Sequence, residues 1–342
     1  MRYMVWNNKG GVGKTFLTYT IASEYALKHP EKKVAVVDMC PQANVSEMML
    51  GGNGTGEGNL STIAQTDMTI AGYIKARYTK SSSKPLGTEI NYFVPVSKYN
   101  SSMPENLFLL PGDVDLDICS QLIFHLGNGP LRGAWKSSRL ILDDIIQAFE
   151  NSNNDTVVFI DCNPSFAVYT EMSAAAAREL IIPCTADNAS IRGILNVFRL
   201  TYGIDAYQLF GINLNFDDSI FNFSEMAGTN GLSLPKVRMI VLNKSRSLDK
   251  SATMAWKAHS EKIRKVMDQI KVKYPHCFSG LAANLVFDVK DGNTLATIAN
   301  HNGLPVSLMK QGAYDIYGTT TMANQPQIDA LKDQLFTIVD TL

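Results

Sequence analysis

The clearest chemistry in this sequence belongs to a short glycine-rich segment near its start, Lys9-Gly10-Gly11-Val12-Gly13-Lys14-Thr15. Glycines let the backbone curl with its N–H groups pointing inward, and such a loop at a helix N-terminus forms an anion-binding site. In a loop of this kind Lys14 contacts the β- and γ-phosphates of a nucleotide, and the Thr15 hydroxyl binds Mg²⁺. The loop and the following Phe16 are therefore candidate nucleotide-binding residues. The first glycine of the ordinary pattern GxxxxGK[ST] is Asn8 here, so the match is to a variant of the motif.

A second candidate is an acidic residue at the end of a hydrophobic strand. The residues Val157 to Ile160 predict a buried strand, and Asp161 follows it directly. This is the Walker-B arrangement, in which the carboxylate holds a Mg²⁺-bound water. An apolar strand that ends in aspartate is common by itself, so this prediction depends on the glycine loop being a phosphate site.

Both candidates need a framework of alternating strands and helices. The residues Arg2 to Trp6 predict a strand that runs into the glycine loop, and Leu17, Ile21 and Tyr25 lie at four-residue spacing on the next helix. Four β-prone residues, Val34 to Val37, then predict a strand buried on both faces of a parallel sheet. Further strands are predicted at Leu107–Leu110, Leu180–Pro183 and Met239–Leu242, and further helices at Leu140–Phe149, Met172–Glu179, Ser251–Lys273 and Gln327–Leu342.

This alternation predicts an α/β fold with a mostly parallel twisted sheet flanked by helices. It runs almost from end to end, so we expect residues 1–342 to form a single domain. Two stretches interrupt it, at about 51–106 and 203–235, and we expect both to be insertions. The first begins with five glycines between Gly51 and Gly58, which indicates a loop.

Composition excludes several classes of protein. The formal net charge is -1 at pH 7, so any contact with DNA must come from a local basic patch. The five cysteines have no CxxC spacing, which fits reduced thiols in the cytoplasm better than disulfides or a zinc site. The sequence has neither a signal peptide nor a membrane-spanning stretch, and we therefore expect a cytoplasmic protein.

Three motifs together resemble one family. Lys9, directly before the paired glycines, resembles the signature lysine of the deviant Walker-A (SIMIBI-type) P-loop NTPases, which include the ParA and MinD ATPases. The segment Asp38-Met39-Cys40-Pro41-Gln42 is similar to the ParA motif Asp-x-Asp-Pro-Gln, and Asp161-Cys162-Asn163-Pro164-Ser165 is similar to Asp-x-Pro-Pro-Ser. Apart from the two expected insertions, the resemblance extends from residue 2 to the C-terminus. It is to the short ParA type without an N-terminal helix-turn-helix.

The resemblance implies an ATPase that binds ATP with Mg²⁺ and forms a homodimer with two ATP molecules between its subunits. Lys9 would reach the partner's phosphates, where an added cation offsets concentrated negative charge. Asn243 matches a position at which relatives contact adenine, although an ordinary strand-end cap explains this residue equally well. The implied catalytic residues are Lys9, Lys14, Asp38 and Asp161, and the implied metal site comprises Thr15, Asp38 and Asp161.

One departure from the family pattern bears on catalysis. Cys40 stands where the family has its second aspartate, which is associated with activating the attacking water. A neutral thiol with a reference pKa of about 8.5 is a poor substitute for a carboxylate. Either hydrolysis is slow, or another group such as Asp38 or Asp161 supports the water. Slow hydrolysis is the interpretation that we favour.

A basic patch is the candidate DNA-binding surface. Between Lys244 and Lys273 the sequence has nine basic and three acidic residues, a local excess of six positive charges. Such a patch suits sequence-independent contacts with DNA phosphates, and ParA relatives bind DNA with the corresponding part of the chain as ATP-bound dimers. The alternative is a solvated helix face. The candidate contacts are Lys244, Arg246, Lys250, Lys257, Lys262, Arg264 and Lys265.

The predicted function is therefore plasmid or chromosome partition by a ParA-like ATPase. Its ATP-bound dimer would associate with the nucleoid, and a ParB-like or other adaptor protein would stimulate hydrolysis. A ParA-like ATPase that positions another cargo, or that serves a mobile-element system, is the alternative, because the partner chooses the cargo. A MinD-like membrane-associated regulator is less favoured, since it needs a basic C-terminal helix. In this chain Asp329, Asp333 and Asp340 outnumber Lys332 there, and no membrane contact is expected.

Overall fold

A computed structural model of the chain describes residues 1–52, 55–79, 85–130, 132–212, 222–245, 250–280, 285–290 and 293–342. The strands are β1 (Arg2–Val5), β2 (Lys33–Met39), β3 (Val94–Pro95), β4 (Leu107–Leu110), β5 (Thr156–Cys162), β6 (Glu179–Thr185), β7 (Lys236–Ser245), β8 (Val286–Lys290), β9 (Gly312–Ile316) and β10 (Thr319–Ala323). The α-helices are α1 (Lys14–Lys28), α2 (Asn44–Met49), α3 (Thr55–Ala64), α4 (Ile70–Thr79), α5 (Leu116–Gly127), α6 (Ala134–Arg139), α7 (Ile141–Ser152), α8 (Val168–Ala176), α9 (Asn188–Tyr202), α10 (Phe223–Thr229), α11 (Lys250–Lys273), α12 (Asn293–Asn302) and α13 (Gln325–Val339).

The first eight strands form one sheet in the order β3-β4-β2-β5-β1-β6-β7-β8. Neighbouring strands in it are parallel, except for the antiparallel pair of β3 and β4. This order confirms the predicted α/β fold with a mostly parallel sheet. The connection after β1 leads to β2, toward the β3 edge of the sheet, whereas the connection after β5 leads to β6, toward the β8 edge. Such a reversal opens a crevice at the carboxyl ends of the strands, where open α/β sheets bind their ligands.

Residues along β1 and just after it show why the sheet is buried on both faces. Met4 and Trp6 belong to the hydrophobic cluster on one face, and Tyr3 and Val5 belong to the cluster on the other. All four are at most 1% exposed. Successive side chains of a strand point to opposite faces, so helices must cover both faces of this strand.

The strands predicted from apolar runs are confirmed as β1, β2, β4, β5, β6 and β7, although β1 ends at Val5, one residue before the predicted Trp6. The helices predicted at Leu140–Phe149, Ser251–Lys273 and Gln327–Leu342 correspond to α7, α11 and α13. Long buried runs identify these elements well, since few other structures can bury them.

The prediction of a loop over Gly51–Gly58 is wrong for its second half. α3 begins at Thr55, and residues 53–54 lie outside the described part of the chain. A Cβ placed on Gly56 would lie only 2.0 Å from the backbone oxygen of Glu47 on α2. This glycine therefore permits two helices to pack closely, which is a different use of glycine from a turn.

The prediction of a helix over Met172–Glu179 is wrong at both ends. α8 already begins at Val168, whose side chain is buried, and Glu179 is the first residue of β6. Ala177 ends the helix, because its backbone is extended, with φ -77° and ψ 158°.

The expectation of one domain with insertions at about 51–106 and 203–235 stays a prediction. In the first stretch the structure has α3, α4 and β3, and in the second it has α10. Residues 80–84 and 213–221, within these stretches, lie outside the described part of the chain.

Candidate nucleotide site at the carboxyl edge of the sheet

The glycine loop connects the carboxyl end of β1 to α1. Gly11 and Gly13 have φ values of 71° and 84°, in the left-handed region that favours glycine. A Cβ on Gly13 would lie 2.0 Å from Nδ2 of Asn243, so a side chain at this position would have to displace the Asn243 amide. The Lys14 ammonium group donates a hydrogen bond to the carbonyl oxygen of Lys9 at 3.1 Å. The Lys14 side chain is therefore folded back over the loop.

Lys14 supplies one of the two positive charges of the loop. Its side chain lies almost entirely inside the protein, and burial lowers the pKa of the ammonium group, while the charge of Asp161 acts in the opposite direction. Burying a cation is costly unless an anion compensates for it. The loop also lies at the N-terminus of α1, where the helix dipole favours anions. The arrangement therefore suits a phosphate group.

The carboxylates predicted near the metal lie side by side. Asp38 and Asp161 are direct partners in the parallel pairing of β2 with β5. Asp161 Oδ2 accepts a hydrogen bond from the Thr15 hydroxyl at 3.0 Å, and its Oδ1 lies 2.9 Å from the Thr18 hydroxyl. The structure thus brings together Thr15, Asp38 and Asp161, which the sequence analysis grouped as the metal site.

Both carboxylates are fully buried. Burial raises the pKa of Asp161, and it raises the pKa of Asp38, to which the negative charge of Asp161 adds. Two carboxylates held this close favour a bound cation, because it would offset their mutual repulsion.

Two residues of this site were missed by the sequence analysis. Ser46 on α2 donates a hydrogen bond from its hydroxyl to Asp38 Oδ2 at 2.7 Å and accepts one from the Gly112 N–H at 2.9 Å. Thr18 contacts Asp161 from α1. Thr18 could have been found, since it follows Thr15 by three residues and so shares its helix face. No local pattern points to Ser46.

Cys40 lies in a cluster with two amide side chains. Its thiol donates a hydrogen bond to Gln42 Oε1 at 3.0 Å, and Asn163 Nδ2 lies 3.9 Å from the sulfur and 3.5 Å from the same Gln42 oxygen. Burial raises the pKa of Cys40 to about 12. Cys40 and Asn163 are both departures from the family pattern, and the fold places them in contact.

The loop also holds the segment that follows β5. Trp6 donates a hydrogen bond from its indole N–H to the carbonyl oxygen of Asn163 at 2.9 Å, and the Asn8 side chain donates to that of Pro164 at 3.3 Å. Asn8 replaces the usual first glycine of the motif, and its own oxygen accepts from Asn196 on α9 at 3.1 Å. This position therefore connects three segments around the loop.

Lys9 is engaged within its own chain. Its ammonium group donates to both carboxylate oxygens of Asp187, at 2.6 and 2.8 Å, to the Thr185 hydroxyl at 2.9 Å and to the Ser190 hydroxyl at 3.1 Å. Burial tends to raise the pKa of Asp187, but hydrogen bonds from Lys9, Thr185 and the Ser190 N–H hold it at about 2. None of these partners was identified from the sequence.

The remaining nucleotide-binding candidates lie around the same loop. Asn243 is 3% exposed, and its side chain donates to the carbonyl oxygen of Val12 at 3.2 Å, so it supports the loop directly. Phe16, at the start of α1, lines a cavity of about 380 Å³ with Thr15, α2 and α12. The lining of this cavity includes neither Lys14 nor the two carboxylates, so the cavity lies beside the glycine loop and not within it.

The basic patch is only partly described. Arg246 lies outside the described residues, as do the side chains of Lys244 and Lys250, which belong to β7 and α11. Arg264 is held by Asp288 at 2.8 Å and by the carbonyl oxygen of Val286 at 3.0 Å. The exposed candidates on α11, which we call the lysine face, are Lys257, Lys262 and Lys265.

The lysine face also carries acidic residues and reaches the carboxyl edge of the sheet. Glu261 and Asp268 are exposed on α11 as well, so the positive charge is partly offset. Lys262 lies 3.4 Å from the side-chain oxygen of Asn188, at the start of α9. The next residue toward the N-terminus is Asp187, which holds Lys9.

The C-terminal helix α13 turns its apolar residues inward. Ile328, Leu331, Leu335 and Ile338 are at most 2% exposed, and the helix packs against α1. Nowhere in the described part of the chain is there a helix with the length and apolar character that crossing a membrane requires.

The sheet order and its flanking helices form a P-loop nucleoside triphosphatase fold of the ParA type, which the similarity to solved structures shows. Among solved structures, an ATP complex of a Cyanothece McdA variant matches with a TM-score of 0.59 and 14% identity, covering 99% of this chain and 95% of that one. A protein of Borrelia burgdorferi B31 assigned to plasmid partition, bound to AMPPNP, matches with a TM-score of 0.54 and 15% identity, covering 100% and 99%. The chain belongs to the AAA_31 family of AAA domains, whose model matches residues 3–209. A comparison with curated protein sequences gives no match.

Proposed function

We propose that this protein is an ATP-driven switch that binds ATP with Mg²⁺, forms a dimer around two ATP molecules and then holds DNA. The proposal depends on the contact between the glycine loop and two carboxylates. Lys14 folds back over the loop, the loop's Thr15 donates to Asp161, and Asp161 is paired in strand register with Asp38. Phosphoryl transfer needs these parts: a cradle for the phosphates, a cation on them and a carboxylate at the metal. Catalytic roles therefore go to Lys9, Lys14, Asp38 and Asp161.

The donor set fits Mg²⁺. This ion prefers oxygen ligands, usually keeps several waters and is held by one or two carboxylates together with substrate phosphates. Thr15 offers a hydroxyl and Asp161 a carboxylate oxygen to which that hydroxyl is bonded. Asp38 is occupied by Ser46 and the Cys40 N–H, so we assign it to orienting metal-bound water. The metal would neutralise charge on the phosphates, and the protein supplies the position.

The negative charge of the nucleotides explains why the proposed dimer would need Lys9. Two ATP molecules held between subunits bring more negative charge than one loop lysine each can offset. Lys9 is the second cation of the loop and, in the dimer, would extend to the partner's phosphates. The structural similarity to an ATP-bound McdA variant and to an AMPPNP-bound partition-assigned protein supports a nucleotide-dependent role.

DNA would be held through the lysine face, with Lys244, Arg246 and Lys250 completing the patch. Contacts of this kind are independent of sequence and weaken with salt. Arg264 takes no part in this proposal, because Asp288 and Val286 already hold it. In a cell the ATP-bound dimer would associate with the nucleoid, and an adaptor protein of the ParB kind would stimulate release. The cargo, a plasmid, a chromosome or another assembly, would be set by that adaptor.

Hydrolysis is proposed to be slow. The group at position 40 is a thiol that donates to Gln42, so it cannot accept a proton from water as a carboxylate would. Asp161 and Asp38 are both bonded to hydroxyl or N–H donors and are assigned to the metal. Because hydrolysis would be slow, we expect the ATP-bound dimer to be long-lived and to depend on its adaptor for release.

Retention on DNA by wild type and Lys14→Ala, with ATP, ADP or no nucleotide, tests the proposal. Wild type should bind unrelated DNA sequences with ATP and Mg²⁺ only, and less tightly at higher salt. Lys14→Ala should lose both ATP binding and DNA retention. Lys28→Ala is a matched control at the other end of α1, about 21 Å away at 1.5 Å per residue. DNA binding that ignores nucleotide, or a Lys14→Ala protein that still binds ATP normally, would contradict the proposal.

A further inference from the structure

The four hydrogen bonds of Lys9 form a closed intrachain arrangement, which we call the Lys9 latch and define as Lys9, Thr185, Asp187 and Ser190. Each of the three ammonium protons of a lysine can be donated, and here the available acceptors are two carboxylate oxygens and two hydroxyls at 2.6–3.1 Å. The acceptors are bonded to one another as well, since Thr185 contacts both Asp187 and Ser190. The ammonium group is thus fully satisfied inside its own chain.

The latch is fixed independently of Lys9. Asp187 is the N-cap of α9, and its Oδ1 accepts the backbone N–H of Ser190 at 2.7 Å. α9 also approaches the loop closely, because a Cβ on Gly193 would lie 2.8 Å from Asn7 Oδ1 and 3.2 Å from Lys9 Cβ. Asp187 therefore stays in place when the ammonium group leaves.

The electrostatics make Asp187 the decisive partner. The latch lies at the N-terminus of α9, where the helix dipole disfavours a cation. The Thr185 and Ser190 hydroxyls are neutral, so the Asp187 carboxylate alone supplies the attraction that overcomes this effect. Without it Lys9 would retain only weak acceptors in an unfavourable field.

We propose that Asp187 is a positioning residue that stores Lys9 within its own subunit, and that the exchange of Lys9 from Asp187 to the phosphates of a second copy controls dimer formation. This inference rests on the proposed sandwich dimer and deepens it, because it names the contact that must break first. A single copy presents Lys9 paired and neutralised. The second copy becomes a better partner only when its loop carries a triphosphate, whose charge exceeds that of one carboxylate.

The latch sets the threshold for dimer formation. Lys9 and Asp187 have side-chain exposures of 25% and 44%, so solvent screens the pair. Pairs of this exposure contribute up to about 1 kcal/mol, which is about a fivefold change in an equilibrium constant. A dimer opens two latches, one in each subunit, so loosening both should lower the protein concentration needed for dimers by up to about 25-fold, and should not create dimers without nucleotide.

The first test needs no nucleotide. Brief acylation with an N-hydroxysuccinimide ester, followed by peptide mass spectrometry, measures the reactivity of Lys9 relative to the exposed Lys98. Asp187→Asn keeps a capping side chain but removes the charge, and Lys9 should then react several-fold faster than in wild type. Asp187→Glu should stay near the wild-type rate. Asp205→Asn is the matched control, because this aspartate also caps a helix, by accepting the Tyr207 N–H. Equal Lys9 reactivity in wild type and Asp187→Asn would overturn the latch.

The second test measures dimers by sedimentation velocity with Mg²⁺ and a non-hydrolysable ATP analogue. Asp187→Asn should dimerise at up to about 25-fold lower concentration than wild type, because both subunits lose the latch, and Asp187→Glu at an unchanged one. In a Lys9→Ala background, Asp187→Asn should not change the concentration needed for dimers. This double-mutant cycle isolates the interaction between the two side chains. Weaker dimers in Asp187→Asn, or the same gain without Lys9, would refute the exchange. Wild type that binds the analogue and stays monomeric would reject the proposed sandwich dimer, whereas the acylation result would still decide whether the latch exists.

Discussion

Restoring a carboxylate at position 40 tests how the site handles the attacking water. The Cys40 thiol now donates to Gln42 Oε1 at 3.0 Å. An ionised aspartate only accepts hydrogen bonds, so in Cys40→Asp the Gln42 amide must turn its nitrogen toward position 40. Asn163 Nδ2, at 3.9 Å from the present sulfur, is already placed to donate to the new carboxylate. Two amide donors can therefore hold it in its charged form.

The size of the effects follows from burial and from general-base chemistry. Position 40 is 7% exposed and lies near two buried carboxylates, so a third charge there should lower the free energy of unfolding by about 1–3 kcal/mol. A positioned base contributes about 10²–10⁴-fold to a rate. We expect the lower end, about 10²-fold faster hydrolysis, which is a barrier lowered by about 2.7 kcal/mol.

The assay is release of inorganic phosphate from saturating Mg²⁺–ATP, with ATP affinity and urea unfolding measured on the same samples. Cys40→Asn is the matched control, because it has the shape of aspartate without its charge, and its turnover should not exceed that of wild type. Unchanged or reduced turnover in a folded, ATP-binding Cys40→Asp protein would refute the reasoning. Equal acceleration by Cys40→Asn would refute it as well, because charge would then not be the cause.

Three further predictions follow from the site. Ser46→Ala leaves the Gly112 N–H unpaired and removes a hydrogen bond to Asp38, so the free energy of unfolding in urea should fall by about 2–4 kcal/mol, more than for buried Ser23→Ala. Gly13→Ala should abolish ATP binding in calorimetry, because φ is 84° and the new Cβ would meet a side chain at 2.0 Å; Gly228→Ala, on α10 outside the loop and with open space around it, should retain binding. Glutamine at all three lysines of the lysine face should weaken ATP-dependent DNA binding and lower the slope of log K against log salt by up to about 0.9 per lost phosphate contact; an unchanged slope would exclude this face.

The local parts of the site could be predicted from the sequence. The glycine loop is seven consecutive residues, and its conformation depends on positive φ values that glycine adopts without the strain other residues incur. Asp38 and Asp161 each follow an apolar run, and parallel strands bring their carboxyl ends to one edge, so their proximity could be expected. Lys9 was likewise identified by position, but its partner within the chain was not.

Patterns failed where a residue type has more than one use. Glycines between positions 51 and 58 indicated a loop, yet Gly56 serves a close helix contact with Glu47. Alanine-rich residues after Met172 indicated a helix that continues to Glu179, yet the helix ends at Ala176 and Glu179 begins a strand. In both places the deciding contact is with another element, which a local window of sequence does not contain.

The sequence by itself determined the class of fold, the glycine loop and the two carboxylates, because each is encoded by neighbouring residues. Only the tertiary structure decided which groups hold them: Ser46 on Asp38, the amides around Cys40 and, 178 positions away, Asp187 on Lys9. The physical reason is that hydrogen bonds act over about 3 Å. Whether two side chains come that close depends on strand register and on how α2 and α9 pack, and a spacing along the chain fixes neither.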